Sequence, residues 1–293
     1  MAHKPCEREH RAMQTADMEG VVKTKRRVAL VTGASSGIGR ACAEQLASAG
    51  LTVYGLSRHP ARGHGRGALP MLALDVRHDG SVRACVDRVI TETGRIDVLV
   101  NNAGIAMEGA VEESSLDEIR AVLETNFFGA VRMMRAVLPI MRKRRSGRII
   151  NMGSVAGFLP MPYSAAYCAS KHALRGFSES LDHEVRRFGI RVSVIEPGFV
   201  RTDIVEHSPV AAAPFEPYIS ARSNPARAFR QQIAQGVDPD VIARTVVEAA
   251  TEEHPRLRYL PDGTVYMVAM FRAVLPSPLF DFAFRKQIEM NED

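Results

Sequence analysis

The sequence contains no tryptophan, and aromatic residues make up only 6% of its 293 positions. A surface that stacks nucleic-acid bases needs aromatic side chains, so this scarcity argues against one. The four cysteines lie far apart without a CxxC pair (Cys6, Cys42, Cys85 and Cys168), which argues against a zinc ribbon and a disulfide framework. The nine histidines show no metal-ligand spacing. No metal site is expected.

The sequence also lacks an apolar run of the roughly 18 residues that a membrane-spanning helix needs. Its first 20 residues contain no apolar core of a secretory signal, and a reducing, cytoplasmic location is therefore expected. The net charge is +5 and the isoelectric point about 9.2, but residues 1–27 alone carry +3. Residues 1–26 are polar and aperiodic, so they are predicted to form a flexible N-terminal extension. The rest of the chain is nearly neutral, which disfavours a nucleic-acid partner.

Short β-rich apolar runs alternate with helical patterns from residue 27 onward. Continuous apolar runs of this kind are typical of strands covered on both faces, as in a parallel sheet. The strand candidates are Val28–Val31, Thr52–Leu56, Met71–Leu74, Asp97–Val100, Arg148–Asn151, Arg191–Ile195 and Arg258–Leu260. Helices are predicted between them, including Ile38–Ala49 and one capped by Asp238 and Pro239. We therefore predict an α/β fold: a single-domain, doubly wound, mostly parallel sheet of about seven strands with helices on both faces, spanning residues 27–293.

Two segments depart from this alternation. Residues 206–235, the lid segment, carry four prolines among alanines and aromatic residues, and are predicted to be a long irregular insertion. Such insertions usually serve function, so we interpret it as a substrate lid, with a surface loop as the alternative. Residues 263–290 are predicted to be helical and amphipathic. They could roof a substrate pocket or make peripheral contact with a membrane surface.

A glycine-rich turn joins the first predicted strand to the first helix. Glycines at this place let the backbone approach a pyrophosphate at a helix N-terminus. The turn comprises Gly33, Ser35, Ser36, Gly37, Ile38 and Gly39, with the spacing G-x3-G-x-G. The second strand ends at Ser57-Arg58, where an acidic residue would indicate NAD and an arginine can accommodate the 2′-phosphate of NADP. NADP(H) is therefore favoured over NAD(H).

Tyr167 and Lys171 are separated by one helical turn and share a helix face. A neighbouring ammonium favours the phenolate, so Lys171 is predicted to lower the pKa of Tyr167. Such a pair suits acid/base chemistry on an alcohol or ketone. Ser154 follows a predicted strand, where its hydroxyl could bind a substrate oxygen. Cys168, beside Tyr167, is interpreted as a packed apolar residue rather than a nucleophile.

These motifs occur in the order found in short-chain dehydrogenases/reductases, which the chain resembles over about residues 27–260. The motifs are TGASSGIG at 32–39, NNAG at 101–104, Asn126, Ser154, YCASK at 167–171 and PG at 197–198. The sequence of residues 179–202 resembles the hydroxysteroid dehydrogenase, retinol dehydrogenase and bacterial ketone-reductase branches of this family.

The resemblance implies a role for each matching residue. Tyr167 would be the general acid/base, Lys171 would lower its pKa and bind the nicotinamide ribose, and Ser154 would polarise the carbonyl. Asn126 would support a proton relay through water. Asn101 would stabilise the central strand. The other residues implied to bind the cofactor are Asp75, Val76, Asn102, Ala103, Gly104, Pro197, Gly198, Val200 and Thr202. It also implies a homodimer or homotetramer.

The predicted function is an NADP(H)-dependent interconversion of an alcohol with a ketone or aldehyde. An apolar pocket is expected for a small lipophilic substrate, bordered by Val155, Phe158, Tyr163, Phe199, Phe215 and Tyr218. Two alternatives are a non-catalytic NADP(H)-sensing interaction protein on the same fold and a nucleic-acid binder that uses Arg142–Arg145. The joint presence of Ser154, Tyr167 and Lys171 disfavours the first, and the scarcity of aromatic residues disfavours the second.

Overall fold

A seven-stranded parallel sheet forms the centre of the molecule in a computed structural model that describes residues 26–60, 69–204 and 209–287. The strand order is β3-β2-β1-β4-β5-β6-β7, and all neighbours pair in parallel. The strands are β1 (Val28–Thr32), β2 (Thr52–Ser57), β3 (Met71–Ala73), β4 (Val98–Asn101), β5 (Gly147–Met152), β6 (Ile190–Ile195) and β7 (Arg258–Tyr259). The predicted doubly wound α/β fold is confirmed.

Helices cover both faces of the sheet. Alternate residues of β1 enter two separate cores: Val28 and Leu30 pack on one face, Ala29 and Val31 on the other. The first face is covered by α2 (Asp79–Thr93), α4 (Gly129–Arg144) and α5 (Ala165–Val185). The second is covered by α1 (Gly37–Ser48) and α7 (Pro239–Thr251). Burial on both faces explains the continuous apolar strands.

The connection after β4 contains the helix α3 (Leu116–Leu123), and a π-helical turn at Glu124–Phe128 joins it to α4. The helix α7 begins as predicted, because the Asp238 side chain accepts the Asp240 N–H at 3.0 Å.

The prediction of an irregular lid segment is wrong over most of its length. A 19-residue helix, α6 (Glu216–Ala234), occupies it, while residues 205–208 lie outside the described part. Prolines disfavour helix, but Pro209 and Pro214 precede α6 and Pro217 lies in its first turn, where no N–H is needed. Only Pro225 lies in the helix interior.

The predicted C-terminal helical segment consists of two helices, α8 (Gly263–Val274) and α9 (Ser277–Gln287), and residues 288–290 fall outside the described range. One side of this pair packs on the core through Val265 and Phe280. Across the described residues, no helix is both long and apolar enough to cross a membrane. Of the predicted extension 1–26, only Arg26 is described, and it is exposed.

Candidate active site

The predicted catalytic residues come together where β5 ends and α5 begins. Tyr167 and Lys171 lie in the first two turns of α5, and Ser154 follows β5. The Lys171 ammonium nitrogen lies 5.6 Å from the centre of the Tyr167 ring and donates to the Met152 carbonyl at 2.8 Å. The side chains of Tyr167 and Ser154 share a hydrogen bond. All three residues border one cavity of about 790 Å³, open mouth included.

Burial shifts the two titratable groups in opposite directions. Protein atoms around the Tyr167 hydroxyl raise its pKa to about 12, although the ring stays partly accessible from the cavity and the Ser154 hydrogen bond opposes the rise. Burial lowers the pKa of Lys171 to about 8. The predicted lowering of the Tyr167 pKa is therefore not found, because the ammonium is bound to the Met152 carbonyl and desolvation dominates. The phenol is protonated at neutral pH and can donate a proton.

Asn126 lies in the π-helical turn and is fully buried. Its side-chain oxygen accepts the Ile105 N–H at 2.8 Å, and its amide nitrogen donates to the Ile105 carbonyl at 2.9 Å and to the Ser170 hydroxyl at 3.0 Å. Ser170 in turn donates to the Tyr167 carbonyl at 2.7 Å. The Asn126 side chain thus joins the connection after β4 to the helix that carries Tyr167. Its participation in a proton relay stays a prediction.

A second buried polar chain crosses the sheet beside the site. The Asn101 amide donates to the Asn151 oxygen at 2.8 Å, and the Asn151 amide donates to the Ser178 hydroxyl at 2.8 Å. The chain therefore connects β4 and β5 to α5. Such buried side-chain hydrogen bonds favour one arrangement of their members, while the Asn101 side-chain oxygen has no partner among the described residues.

The glycine turn has the geometry of a pyrophosphate cradle. Gly33 and Gly37 adopt left-handed backbone angles, with φ of 68° and 50°. A Cβ atom at Gly39 would lie 2.2 Å from the Gly33 carbonyl oxygen, so only glycine lets α1 approach the turn. Ser36 precedes α1 without capping it through its side chain, and Ser35 is half-buried nearby. The first turn of α1 therefore presents N–H groups suited to a phosphate.

Neighbouring loops complete this cradle. The Thr32 hydroxyl accepts the N–H groups of Asn102 and Ala103, each at 3.0 Å, and the Asn102 amide donates to the Thr32 carbonyl. A methyl group of Thr202 lies 3.2 Å from where a Gly37 Cβ would be. The cavity that contains Tyr167 is also lined by the predicted residues Ile38, Asn102, Gly104, Pro197, Gly198, Val200 and Thr202. The residues present thus fit a dinucleotide extending from the glycine turn to Tyr167.

The other end of the cradle carries the groups expected to contact the adenosine. The Ser57 hydroxyl is buried and has no hydrogen-bond partner within the described ranges, and Arg58 beside it is exposed. An orphaned buried hydroxyl is unusual in a folded protein and suits a bound polar group. The Asp75 carboxylate is bound by Arg77, whose side chain lowers the pKa of Asp75 to about 2. Val76 is buried against Gly129.

A second cavity, of about 770 Å³ with its open mouth, adjoins the first at Tyr167. Of the residues predicted to form the substrate pocket, Tyr163 and Phe199 line it, and Val155 lines the first cavity. Tyr163 holds a left-handed backbone with φ of 58°, and its carbonyl accepts the Gly109 N–H at 2.8 Å. The lining residues that the sequence did not indicate include Met161 and, on α6, Pro225, Ala228, Phe229, Gln232 and Ile233. The prolines concealed the helical form of α6.

Three predicted pocket residues border neither of these two cavities. Phe158 packs beneath the guanidinium groups of Arg175 and Arg258, each 5.9 Å from its ring centre. Phe215 precedes α6 and is half-exposed, and the Tyr218 hydroxyl donates to Glu112 at 3.0 Å on the surface. Because α6 is a helix, its cavity-lining side chains start at Pro225, two turns beyond Tyr218. The prediction that Phe158, Phe215 and Tyr218 border the substrate pocket is therefore wrong for these two cavities.

Comparison with known proteins bears on the same site. A sequence profile described as short chain dehydrogenase matches residues 27–211. The chain is 36% identical to a 3-ketodihydrosphingosine reductase of Bacteroides thetaiotaomicron, over 88% of this chain and 96% of that protein. It is 37% identical to human 17-beta-hydroxysteroid dehydrogenase type 1, over 85% of this chain and 86% of that protein.

Solved structures of short-chain dehydrogenases and oxidoreductases are also similar to this chain. A short-chain dehydrogenase from Streptomyces avermitilis has a TM-score of 0.77 at 34% identity, with 92% of this chain and 98% of that chain covered. One from Burkholderia phymatum in complex with NAD has a TM-score of 0.72 at 29% identity, covering 86% and 96%. A metagenomic short-chain oxidoreductase in complex with NADP has a TM-score of 0.65 at 31% identity, covering 80% and 96%.

The profile match spans more than half of the chain, and it includes the glycine turn, Ser154, Tyr167 and Lys171. The chain therefore belongs to the short-chain dehydrogenase/reductase family of NAD(P)-binding Rossmann-fold oxidoreductases, enzymes that act on CH–OH donors.

Proposed function

We propose that this enzyme interconverts a lipophilic alcohol with its ketone or aldehyde, uses NADP(H), and employs Tyr167 as the acid/base. The observation that carries the proposal is the shared cavity of Ser154, Tyr167 and Lys171 beside the glycine cradle. The bound cofactor would supply or accept the hydride. The Ser154 and Tyr167 hydroxyl groups both border this cavity, where a substrate oxygen could contact both.

The chain's own residues account for the proton and the charge. The Ser154 hydroxyl can donate to the substrate oxygen and stabilise negative charge that develops there. The Tyr167 phenol, protonated because of its raised pKa, can deliver its proton to that oxygen during carbonyl reduction. In the reverse direction the same oxygen would return the proton. The Lys171 ammonium, held by the Met152 carbonyl, places a positive charge near the phenol ring.

The cavity lining supports a lipophilic substrate. The apolar side chains that line the two cavities include Met161, Phe199, Phe229 and Ile233. Outside the catalytic group and the predicted cofactor-binding residues, the polar members are Glu108, Tyr163, Ser164 and Gln232. One relative is named as a 3-ketodihydrosphingosine reductase and another as a 17-beta-hydroxysteroid dehydrogenase. These names also favour a lipophilic substrate. Arg58, in a position without a neighbouring acid, supports NADP(H), and related structures hold either NAD or NADP.

Turnover of the Tyr167→Phe variant tests the proposal. We expect kcat with NADPH and a bulky ketone to fall at least ~10³-fold, because the proton donor is removed while the ring remains. Tyr266→Phe is the matched control, since it removes an exposed hydroxyl on α8, and its kcat should stay within twofold of the wild type. Activity of Tyr167→Phe within tenfold of the wild type would refute the assignment of the proton donor.

A further inference from the structure

A fully buried carboxylate lies outside the catalytic group. Glu113 ends a short 3₁₀ turn, Val111–Glu113, in the connection between β4 and α3. Its side chain accepts the N–H groups of Ala110 at 2.9 Å and Phe215 at 2.8 Å, and it also accepts from the Arg222 guanidinium. The Glu113 side chain is 0% exposed and that of Arg222 is 12% exposed. These contacts join segments that are far apart in the sequence.

A buried ion pair is not explained by stability alone. Desolvation of two charges offsets much of their attraction, so apolar residues of the same size often stabilise a protein equally well. What such a pair does is hold one arrangement, since removing either partner leaves an uncompensated buried charge. The position of the Glu113–Arg222 pair therefore matters more than its net energy.

The pair connects the two walls of the second cavity. On one side, the connection that contains Glu113 supplies Ala106, Met107 and Glu108 to the lining. On the other side, Arg222 lies in α6, one turn before Pro225 and two turns before Phe229, which line the opposite wall. The pair thus joins the two segments that supply the opposite walls.

Glu108 also pairs through its backbone with Pro209 and Ala211, at 3.1 and 2.9 Å, but this pairing lies before α6 begins. The other side-chain ties between the walls are exposed. Glu112 accepts the Tyr218 hydroxyl at 3.0 Å, and Glu118 accepts the Ala212 N–H at 3.0 Å, both at exposed positions. Arg230 approaches Glu108 at 3.6 Å, with the arginine side chain 62% exposed. Exposed pairs contribute little because water and salt screen them. Among the described side chains that tie α6 to the connection, Glu113 and Arg222 form the buried pair.

We propose that Glu113 and Arg222 are specificity-determining positioning residues that select the size of the substrate. The proposal rests on the function proposed above. By holding α6 against the connection after β4, the pair sets the width of the cavity that receives the part of the substrate beyond the reacting carbonyl. A large apolar ketone contacts both walls and gains binding energy only when α6 is held. A small ketone contacts Ser154 and Tyr167 alone and is indifferent to the pair.

The test compares two ketones and two readouts. Glu113→Gln and Arg222→Met each remove one charge and keep most of the side-chain volume. With NADPH, we expect kcat/KM for 2-decalone to fall about tenfold through KM in both variants, and kcat/KM for cyclohexanone to change less than twofold. Hydrogen exchange of amides 216–234 should accelerate about tenfold in the same variants.

Glu112→Gln is the matched control, because it makes the same chemical change one residue earlier, at an exposed tie to α6. Both readouts should stay within twofold of the wild type. Arg222→Met provides the result if Glu113→Gln fails to fold, and the double variant should lose no more than either single variant.

Unchanged hydrogen exchange of the α6 amides in both variants would refute the claim that the Glu113–Arg222 pair holds α6. Faster exchange with an unchanged ratio of the two kcat/KM values would overturn the role in specificity. A wild-type enzyme that turns over no ketone would refute the proposed function and the size selection together. In that case hydrogen exchange would still show whether the Glu113–Arg222 pair holds α6.

Discussion

Individual side chains acquire their chemistry here from their surroundings rather than from their type. Tyr167 and Lys171 are brought within one helical turn, yet burial raises the pKa of the phenol to about 12 and lowers that of the ammonium to about 8. Each shift favours the neutral form, as expected for groups removed from water. A neutral phenol is the form that donates a proton, which agrees with the role proposed for Tyr167 in carbonyl reduction.

The proposed preference for NADP(H) rests on Arg58. We predict that Arg58→Ala lowers kcat/KM for NADPH about tenfold and leaves that for NADH within twofold, because a guanidinium binds a phosphate and NADH has none at this place. The measurement is the ratio of the two kcat/KM values in steady-state assays. Arg120→Ala, at an exposed position of α3, is the control and should leave the ratio unchanged. A wild-type preference for NADH would contradict the assignment.

At the scale of elements, α6 shows how tertiary contacts override local preference. A proline in a helix interior removes one hydrogen bond and crowds the preceding turn. The helix nevertheless continues past Pro225, with Arg222 bound to Glu113 and Phe229 packed edge-on against Phe199 at 5.5 Å. These contacts lie on either side of the proline and hold both halves of the helix in place.

Replacing Pro225 should therefore strengthen α6. We predict that Pro225→Ala slows hydrogen exchange of the amides in α6 about tenfold, because the interior hydrogen bond is restored and alanine favours helix by ~1–3 kcal/mol. Pro217→Ala is the matched control: Pro217 lies in the first turn, where proline costs little, and exchange should stay within twofold. Equal effects of the two substitutions would contradict this account of the helix.

For the molecule as a whole, a buried carboxylate on α5 holds the catalytic helix to the sheet. Asp182 is 0% exposed and accepts from the Val192 N–H at 2.9 Å, from Arg191 at 3.0 Å and from Arg186. Burial alone would raise the pKa of Asp182, but these donors lower it below its usual range. A carboxylate with a lowered pKa stabilises the fold above its unfolded pKa of about 3.9. That stabilisation is lost as pH falls through the folded value.

We predict that Asp182→Asn lowers the free energy of unfolding at pH 7 by about 3 kcal/mol, because two arginines lose their buried partner. Urea unfolding at pH 7 and at pH 3 measures the effect. The difference between variant and wild type should be smaller at pH 3, because the carboxyl of the unfolded chain, with a pKa of about 3.9, is then largely protonated and less of the stabilisation remains. Glu184→Gln, at an exposed position of the same helix, should change stability by less than ~0.5 kcal/mol at either pH. A constant difference at both pH values would contradict the assignment.

The sequence by itself determined the sheet and the core of the site. Strands buried on both faces must be continuously apolar, so their bounds could be read to within about a residue, as at β1 and β6. The glycine turn and the Tyr167–Lys171 spacing are local patterns, and their geometry follows from the turn and the helix period alone.

Only the tertiary structure decided what depends on distant neighbours. The direction of the Tyr167 pKa shift follows from how many atoms surround the hydroxyl, which no local pattern reports. The pocket wall formed by α6 depends on Glu113 meeting Arg222, a contact between residues 109 positions apart in the sequence. Local propensity is a sum over near neighbours in the chain, whereas burial and long-range pairing exist only once the chain has folded.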